Sequence, residues 1–371
     1  MTLAPPIGSI PALVADDERA VPAILATPVD DPFAPSPGSV RCDVCAHRCV
    51  IRVGRTGVCG VRTNRDGRLV SLVHGRAVAT AVDPVEKKPL FHVAPGSLAY
   101  SIATAGCSFH CTFCQNWEIS QGPRLGLPLE ARALSADQAV AEAWGSGARS
   151  IAYTYIEPTV FLEYVLDVGR AARDAGLLGL YVTNGYATPE AIEQLAPVID
   201  AANVDLKGFD DAVYRRVCGA RLAPVLDGLV ELRRHGVWVE VTTLVIPGLT
   251  DDPAQLRALT GWIVEALGPE TPWHVSRFLP AYRMRDRPMT PLTTLVAAAD
   301  QGRRAGLHHV YVGDAPELDA EDTRCAGCGL LLVARHGYRI ERHLADDGSC
   351  PRCGRPLEGV ALAAMGRRPC G

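Results

Sequence analysis

Between residues 97 and 313 the apolar positions follow two alternating rhythms. Short apolar runs rich in β-branched and aromatic residues read as strands: LAYSIATAG (98–106), SIAYTY (150–155), LGLYVTNG (178–185) and AANVDLKG (201–208). VWVEVTTLVIPG (237–248), WHVSRFLP (273–280) and a seventh, LHHVYVG (307–313), continue the series. Between them apolar residues recur at helical spacing. Val160, Phe161, Tyr164, Val165, Val168 and Ala172 form one such face. Leu222, Val225, Leu226, Leu229 and Leu232 form a second, and Leu256, Leu259, Ile263 and Leu267 a third. Ser135 and Asp137 mark a helix start. Apolar strands alternating with helices predict an α/β fold, a parallel sheet covered by helices. Six or seven units are too few for a closed eight-unit barrel. The expectation is therefore an open, partial (β/α)6-type barrel, with a doubly wound open sheet as the alternative. In both, the site belongs at the C-terminal ends of the strands.

The flanks lack this rhythm. Residues 1–40 are rich in Pro and Ala and read as an extended or mobile tail. Residues 41–95 carry many glycines and short strand-like runs, RLVSLV and RAVATAV, around four cysteines. The barrel is expected over 96–315 and a small cysteine-rich module over 320–371. A chain of 371 residues exceeds one compact core, in keeping with several units. Hydrophobic residues make up 48% and charged residues 21%, as in ordinary globular proteins. A formal net charge of -4 gives no electrostatic case for nucleic-acid binding. No apolar run is long enough to cross a bilayer. The N-terminus lacks the basic start of a secretory signal, so the expected location is the cytoplasm. In that reducing compartment the 13 cysteines read as metal or redox ligands rather than disulfides. Eight arginines fall between Arg41 and Arg76, against only Asp43 and Asp66. A solvated face balancing metal-bound thiolates is the preferred reading, and a docking surface for an acidic partner the rival.

The cysteines fall into groups. Cys42, Cys45, Cys49 and Cys59 form one, Cys107, Cys111 and Cys114 a second, and Cys325, Cys328, Cys350 and Cys353 a third. Cys218 reads as a buried thiol, with a reactive pocket thiol as the alternative. Cys370 reads as exposed and incidental. The middle group, CSFHCTFC, sits where the first barrel strand ends. Three thiolates can hold three irons of a [4Fe–4S] cube and leave the fourth iron open. A zinc site completed by His110 or by a distant residue is the competing reading.

The C-x3-C-x-aromatic-C loop, with Phe113 as its aromatic, resembles the signature of the radical S-adenosylmethionine (SAM) superfamily. CQNWEIS, IAYTYIEPT, VTNGY, NVDLKGF, VWVEVTTLVIPGL and WHVSRFLP extend the resemblance to the radical enzyme of the AmmeMemoRadiSam system, similar to pyruvate formate-lyase activating enzymes. It spans about Cys42 to Cys353. The resemblance implies that the missing fourth ligand is SAM itself. Reductive cleavage of its sulfonium would give a 5′-deoxyadenosyl radical that abstracts hydrogen from substrate.

The resemblance also carries over residue by residue. The superfamily's Gly-Gly-Glu, which meets the cofactor's amino group, corresponds to Tyr155-Ile156-Glu157, followed by Pro158. The glycines are absent, and Ile156 stands where the subfamily has Asn. Glu157 suits an ammonium group, although a helix-capping acid is the plainer role. Asn184, Asp205 and Lys207 resemble the residues that line the cofactor and substrate pocket. An Asp205–Lys207 ion pair with only a packing role is the alternative. VIPG (245–248) is expected near the adenine. His274 is either a pocket or a structural residue, and Trp117 either covers the cluster or belongs to the core.

CAGC and CPRC, separated by 21 residues, form a zinc-ribbon pattern, with Gly329 and Gly354 in its turns. The first group, C-x2-C-x3-C-x9-C, suits zinc, the preferred reading, or an auxiliary [4Fe–4S] cluster. Together these readings describe a radical SAM enzyme with one or two zinc sites and a reducing partner such as flavodoxin or ferredoxin. A small-molecule or nucleoside substrate and Memo-like and AMME-like partner proteins are implied. A glycyl-radical activase and a non-catalytic metal-binding scaffold are the alternatives.

Overall fold

The structure, a computed structural model, describes residues 20–29 and 36–363. At its centre is an eight-stranded sheet. Seven of its strands are parallel neighbours in chain order: β1 (Leu98–Ala103), β2 (Ser150–Tyr153), β3 (Leu178–Thr183), β4 (Ala201–Asp205), β5 (Trp238–Val245), β6 (Trp273–Arg277) and β7 (Val310–Gly313). Ser150 pairs with Ala99 on one side and Leu178 on the other, and Asp205 pairs with Thr242. Among the described residues β7 does not return to β1, so the barrel stays open. The eighth strand, Ala79–Pro84, lies antiparallel against β1. RAVATAV thus belongs in part to the barrel sheet, which reaches further towards the N-terminus than the expected boundary at 96.

Helices α1 (Trp117–Leu125), α2 (Ala136–Gly145), α3 (Leu162–Asp174), α4 (Pro189–Leu195), α5 (Leu222–Arg234), α6 (Pro253–Leu267) and α7 (Leu292–Ala305) connect the strands. Ser135 begins α2 with a capping box: its hydroxyl accepts from the Gln138 N–H, and the Gln138 side chain accepts from the Ser135 N–H. Helix α3 buries Tyr164, Val165, Val168 and Ala172, and α6 buries Leu256, Leu259, Ile263 and Leu267. Helix α7 lacks a large apolar stripe. It buries Leu295, Ala298, Ala299 and Gly302, and a Cβ on Gly302 would lie 2.7 Å from the Trp273 ring. Small residues carry that face because the bulk comes from the facing strand.

The described part of segment 1–40 is extended but tied down. Val21–Pro22 pairs with Val70 and Ser71, and Ala26–Pro28 pairs with Val40–Cys42. Two small antiparallel sheets so formed make up the N-terminal module. It is fastened to α3 by a buried ion pair: Arg62 Nη2 to Glu163 Oε1 at 2.7 Å, and Arg62 Nη1 to Oε2 at 2.9 Å. Residues 1–19 of the expected tail, and Cys370, lie outside the described residues. At the other end, Thr323–Arg324, Leu331–His336 and Arg339–Arg342 form a three-stranded antiparallel sheet. Arg335 from this sheet stacks over Phe91 at 4.3 Å and donates to the Phe91 carbonyl at 2.8 Å. No described helix is long and apolar enough to cross a membrane.

Candidate functional site

The C-terminal ends of the barrel strands surround a cavity of about 310 Å3. Cys107, Cys111 and Cys114 line it, as do Phe113, Asn184 and Lys207. The loop that presents the cysteines is held from several sides. The His110 and Thr112 N–H groups donate to the carbonyls of Cys218 and Val217, at 2.7 and 3.0 Å. Arg124 donates to the carbonyls of Val58, at 2.7 Å, and Phe109, at 3.0 Å. The Phe109 N–H donates to Cys107 Sγ at 3.3 Å. His110 lies beside Gly219 and is not among the residues lining the cavity, so it does not complete a zinc site there. Cys218 is buried against Cys111, the buried-thiol reading. Burial, with the Glu157 carboxylate close by, pushes the Cys107 thiol up.

Glu157 is only 2% exposed and fully engaged by its own chain. It caps the Pro158–Phe161 turn through the Thr159 N–H at 3.0 Å and also accepts from the Thr159 hydroxyl. The Thr183 hydroxyl lies 2.8 and 3.0 Å from its two oxygens, and the Asn184 N–H donates at 2.7 Å. Burial raises its carboxyl, against the pull of these bonds. Glu157 lines the cavity, but its acceptor capacity is largely spent. The capping role is observed, and the carboxylate acts mainly by fixing Asn184. The Asn184 amide in turn donates to Ser108 Oγ at 3.0 Å and approaches Cys107 Sγ at 3.9 Å.

Tyr155 adopts a backbone that favours glycine, with φ of 68°. For a bulky residue this is a strained conformation, costing on the order of 1–3 kcal/mol. Three contacts hold it. Its hydroxyl donates to Asp83 at 2.6 Å, its carbonyl accepts from the Asn116 amide at 2.8 Å, and the Lys88 ammonium lies 4.8 Å from its ring.

Asp205 ends β4, and Lys207 lies just beyond it. Their side chains pair at 2.9 Å inside the cavity. Burial opposes the Lys207 charge, but Asp205 and the thiols of Cys111 and Cys218 outweigh it and raise the ammonium. The same ammonium lies 5.7 Å from the Phe113 ring centroid. Thr242, which pairs with Asp205 across the sheet, was not visible as a site residue in the sequence. Its hydroxyl is buried without a hydrogen-bond partner, and the residue lines the cavity. The alternation of β5 alone could have pointed to it.

Three candidates lie away from the site. His274 bonds to the buried Glu240 at 2.7 Å, and Glu240 also receives the N–H groups of Phe91 and His92. His274 is thus structural. VIPG (245–248) is absent from the cavity lining; Leu244, just before it, is present. Trp117 stacks on Tyr282 with ring centroids 5.0 Å apart and does not line the cavity.

The outer cysteine groups differ in form. Cys325, Cys328, Cys350 and Cys353 bring their sulfurs within 4.8 Å of one another, with Cys325 to Cys353 and Cys328 to Cys350 each at 3.6 Å. Gly329 and Gly354 have φ of 73°, and their N–H groups close the turns onto Cys325 and Cys350. This is a metal site of four thiols. Among the described residues no other set of three or more Cys, His, Asp or Glu ligand atoms draws so close. Every described cysteine is a free thiol. Cys42, Cys45 and Cys59 are buried and Cys49 is half-buried. The three neighbours all raise the Cys45 thiol, after burial itself.

Parallel strands, a three-cysteine loop after the first of them and a polar cavity at their C-terminal ends are the marks of one class, and the comparisons agree. The family model described as the radical SAM superfamily matches residues 101–259. The chain belongs to that superfamily. It is 38% identical over 321 residues to an uncharacterised protein of Methanocaldococcus jannaschii, covering 86% of this chain and 95% of that one. It is 24% identical over 161 residues to the pyruvate formate-lyase-activating enzyme of Clostridium pasteurianum, covering 43% of this chain and 66% of that one. Among solved structures it is similar to a radical SAM methyltransferase from Sphaerobacter thermophilus, at 16% identity and a TM-score of 0.46, over 64% and 71% of the two chains.

The cavity fits the cofactors this superfamily implies. Three soft thiols converge without closing to the spacing of a single ion. A charged lysine and an asparagine line the same space as potential partners for a polar ligand.

Proposed function

We propose that this chain is a radical SAM enzyme in which Cys107, Cys111 and Cys114 hold three irons of a [4Fe–4S] cluster and leave the fourth for SAM. The observation that carries the reading is the convergence of these three thiols with Asn184, Lys207 and Thr242 on one cavity at the strand ends. Held by Cys107, Cys111 and Cys114, the cluster together with SAM would supply the one-electron, radical-based hydrogen abstraction of the superfamily. The chain's own part is to position and to shield. Asn184, held by Glu157 and Ser108, sets the wall beside Cys107. Lys207 keeps a positive charge over Phe113 and beside the anionic thiolates. Asp205 orients that lysine and retains an oxygen for a ligand hydroxyl or amine. Thr242 lines the same cavity from β5. Phe113 closes the loop over the cluster side.

The substrate is a small molecule or nucleoside, handled with Memo-like and AMME-like partners, and a flavodoxin or ferredoxin supplies electrons. The four C-terminal cysteines hold zinc, and the protein works in the cytoplasm. A glycyl-radical activase is the second reading, favoured by the similarity to pyruvate formate-lyase activating enzymes. The test is anaerobic reconstitution of the full chain, followed by electron paramagnetic resonance of the reduced protein with and without SAM. A signal that changes on adding SAM, with 5′-deoxyadenosine formed, is expected. A signal indifferent to SAM, with no 5′-deoxyadenosine, refutes the reading. Formation of a glycyl radical on a partner protein would select the activase.

A further inference from the structure

The segment from Cys42 to Cys59 is unexplained by the barrel chemistry, yet it is built against it. The Cys59 carbonyl is packed so tightly on Gly106 that a Cβ there would lie 2.7 Å away. Gly106 immediately precedes Cys107, and its φ is 91°. His47 Nε2 lies 2.8 Å from the Ser108 carbonyl. Arg124 joins the two cysteine loops, bonding to the carbonyl of Val58 in one and Phe109 in the other. The Ala46 N–H donates to the Tyr186 carbonyl at 2.9 Å, two residues past Asn184. The N-terminal cysteines are thus in direct backbone contact with the barrel loop.

Their spacing separates one metal from another. A tetrahedral zinc with bonds of 2.3 Å sets its sulfurs about 3.8 Å apart. The C-terminal four cysteines already stand at 3.6 Å. Among the described residues no three of Cys42, Cys45, Cys49 and Cys59 come within 4.8 Å of one another, and no His, Asp or Glu completes such a trio. The barrel cysteines share this wider spread. A cube with an iron at each corner keeps its thiolates further apart than one ion does.

We infer that Cys42, Cys45, Cys49 and Cys59 ligate a second [4Fe–4S] cluster, which passes electrons from an acidic carrier protein to the barrel cluster. The inference rests on the proposed reading of the barrel site. The route has a direction. Cys59 faces the barrel loop through Gly106, whereas Cys49 is the least buried of the four. Beside it Arg52 and Arg55 are exposed, as is Arg68. A positive rim suits an acidic partner. The balance is one electron: the carrier is oxidised by one, the N-terminal cluster goes from 2+ to 1+ and back, and the barrel cluster goes from 2+ to 1+. No atom is transferred.

The test uses the full chain, reconstituted without oxygen, with iron, sulfide and zinc counted. About eight irons and one zinc are expected for the natural protein. Replacing all four of Cys42, Cys45, Cys49 and Cys59 by Ser should halve the iron and keep a resonance signal that responds to SAM. Replacing Cys107, Cys111 and Cys114 by Ser should also halve it, with a signal that ignores SAM. Zinc retained in both variants shows that the chain has folded. Two zincs with half the expected iron, all lost in the barrel variant, overturn the second cluster and leave the barrel reading intact. Iron that persists undiminished in the barrel variant overturns the barrel reading and the relay with it. Arg52→Glu with Arg55→Glu should slow cluster reduction by reduced flavodoxin about tenfold or more at low salt. An unchanged rate overturns the proposed route.

Discussion

Glu163→Gln tests how the N-terminal module is held. Arg62 is buried, and Glu163 supplies both of its carboxylate bonds, at 2.7 and 2.9 Å, along with an acceptor for the Ile24 N–H at 2.9 Å. The substitution leaves Arg62 charged in a site that has lost its counter-ion. Removing one partner of a buried pair typically costs about 3–5 kcal/mol. Glutamine retains an acceptor oxygen for Arg62 or Ile24, so about 3 kcal/mol is the expected loss. Urea unfolding of the full chain, followed by fluorescence and circular dichroism together, gives the figure and shows whether the module unfolds separately. A companion with Arg62→Met and Glu163→Met should recover most of the loss, because a neutral pair carries no stranded charge. A loss below about 1 kcal/mol in the single variant, or a double variant worse than the single, would refute the reasoning. The pH dependence has a definite sign. Arg62 outweighs burial and lowers the Glu163 carboxyl below its ordinary value of 4.5. Its contribution to stability is complete above that value and is lost as pH falls through the folded-state pKa. The Gln variant should lose that part of the acid sensitivity.

Tyr155→Phe removes a hydrogen bond to a charged Asp83, so a loss of about 1.5–3 kcal/mol is expected in chemical denaturation. Thr242→Val should leave the cofactor-free protein no less stable in a thermal melt, because the hydroxyl is buried unpaired. Gly179→Ala places a Cβ 2.1 Å from the Val198 carbonyl and should lower expression and melting temperature sharply. Metal removal by a strong chelator should loosen the C-terminal sheet, seen as faster proteolysis within 323–342 while β4 and β5 stay protected.

The sequence was most legible where periodicity was strong. All seven parallel strands were visible as apolar runs, and Ser135 as a cap. RAVATAV reads as strand-like within the N-terminal region, but a strand sequence does not name its partner, and Ala79–Pro84 joins the barrel sheet. Helix α7 was missed because Ala298, Ala299 and Gly302 bury a face without large side chains. Within the site, the cysteine loop, Asn184, Asp205 and Lys207 were legible through the motifs they sit in. Thr242 was not, since an ordinary strand threonine becomes notable only when its hydroxyl is found buried and unpaired. For Glu157 the sequence leaves two roles open, ammonium partner and cap; the bond to the Thr159 N–H shows the cap, and Thr183 and Asn184 add bonds that no motif announces.

The clasp between the N-terminal module and the barrel also bears on the order of synthesis. Cys45 pairs with Ala187, and the Thr188 N–H donates to the Val44 carbonyl, so some of the module's docking partners lie more than 140 residues further along the chain. As the polypeptide leaves the ribosome, the first four cysteines emerge long before the surface that covers them. Their thiols are open to metal delivery during that interval, while the barrel loop still lacks most of its strands. The order of the chain thus exposes the outer cysteines to solvent before the barrel that shelters them exists.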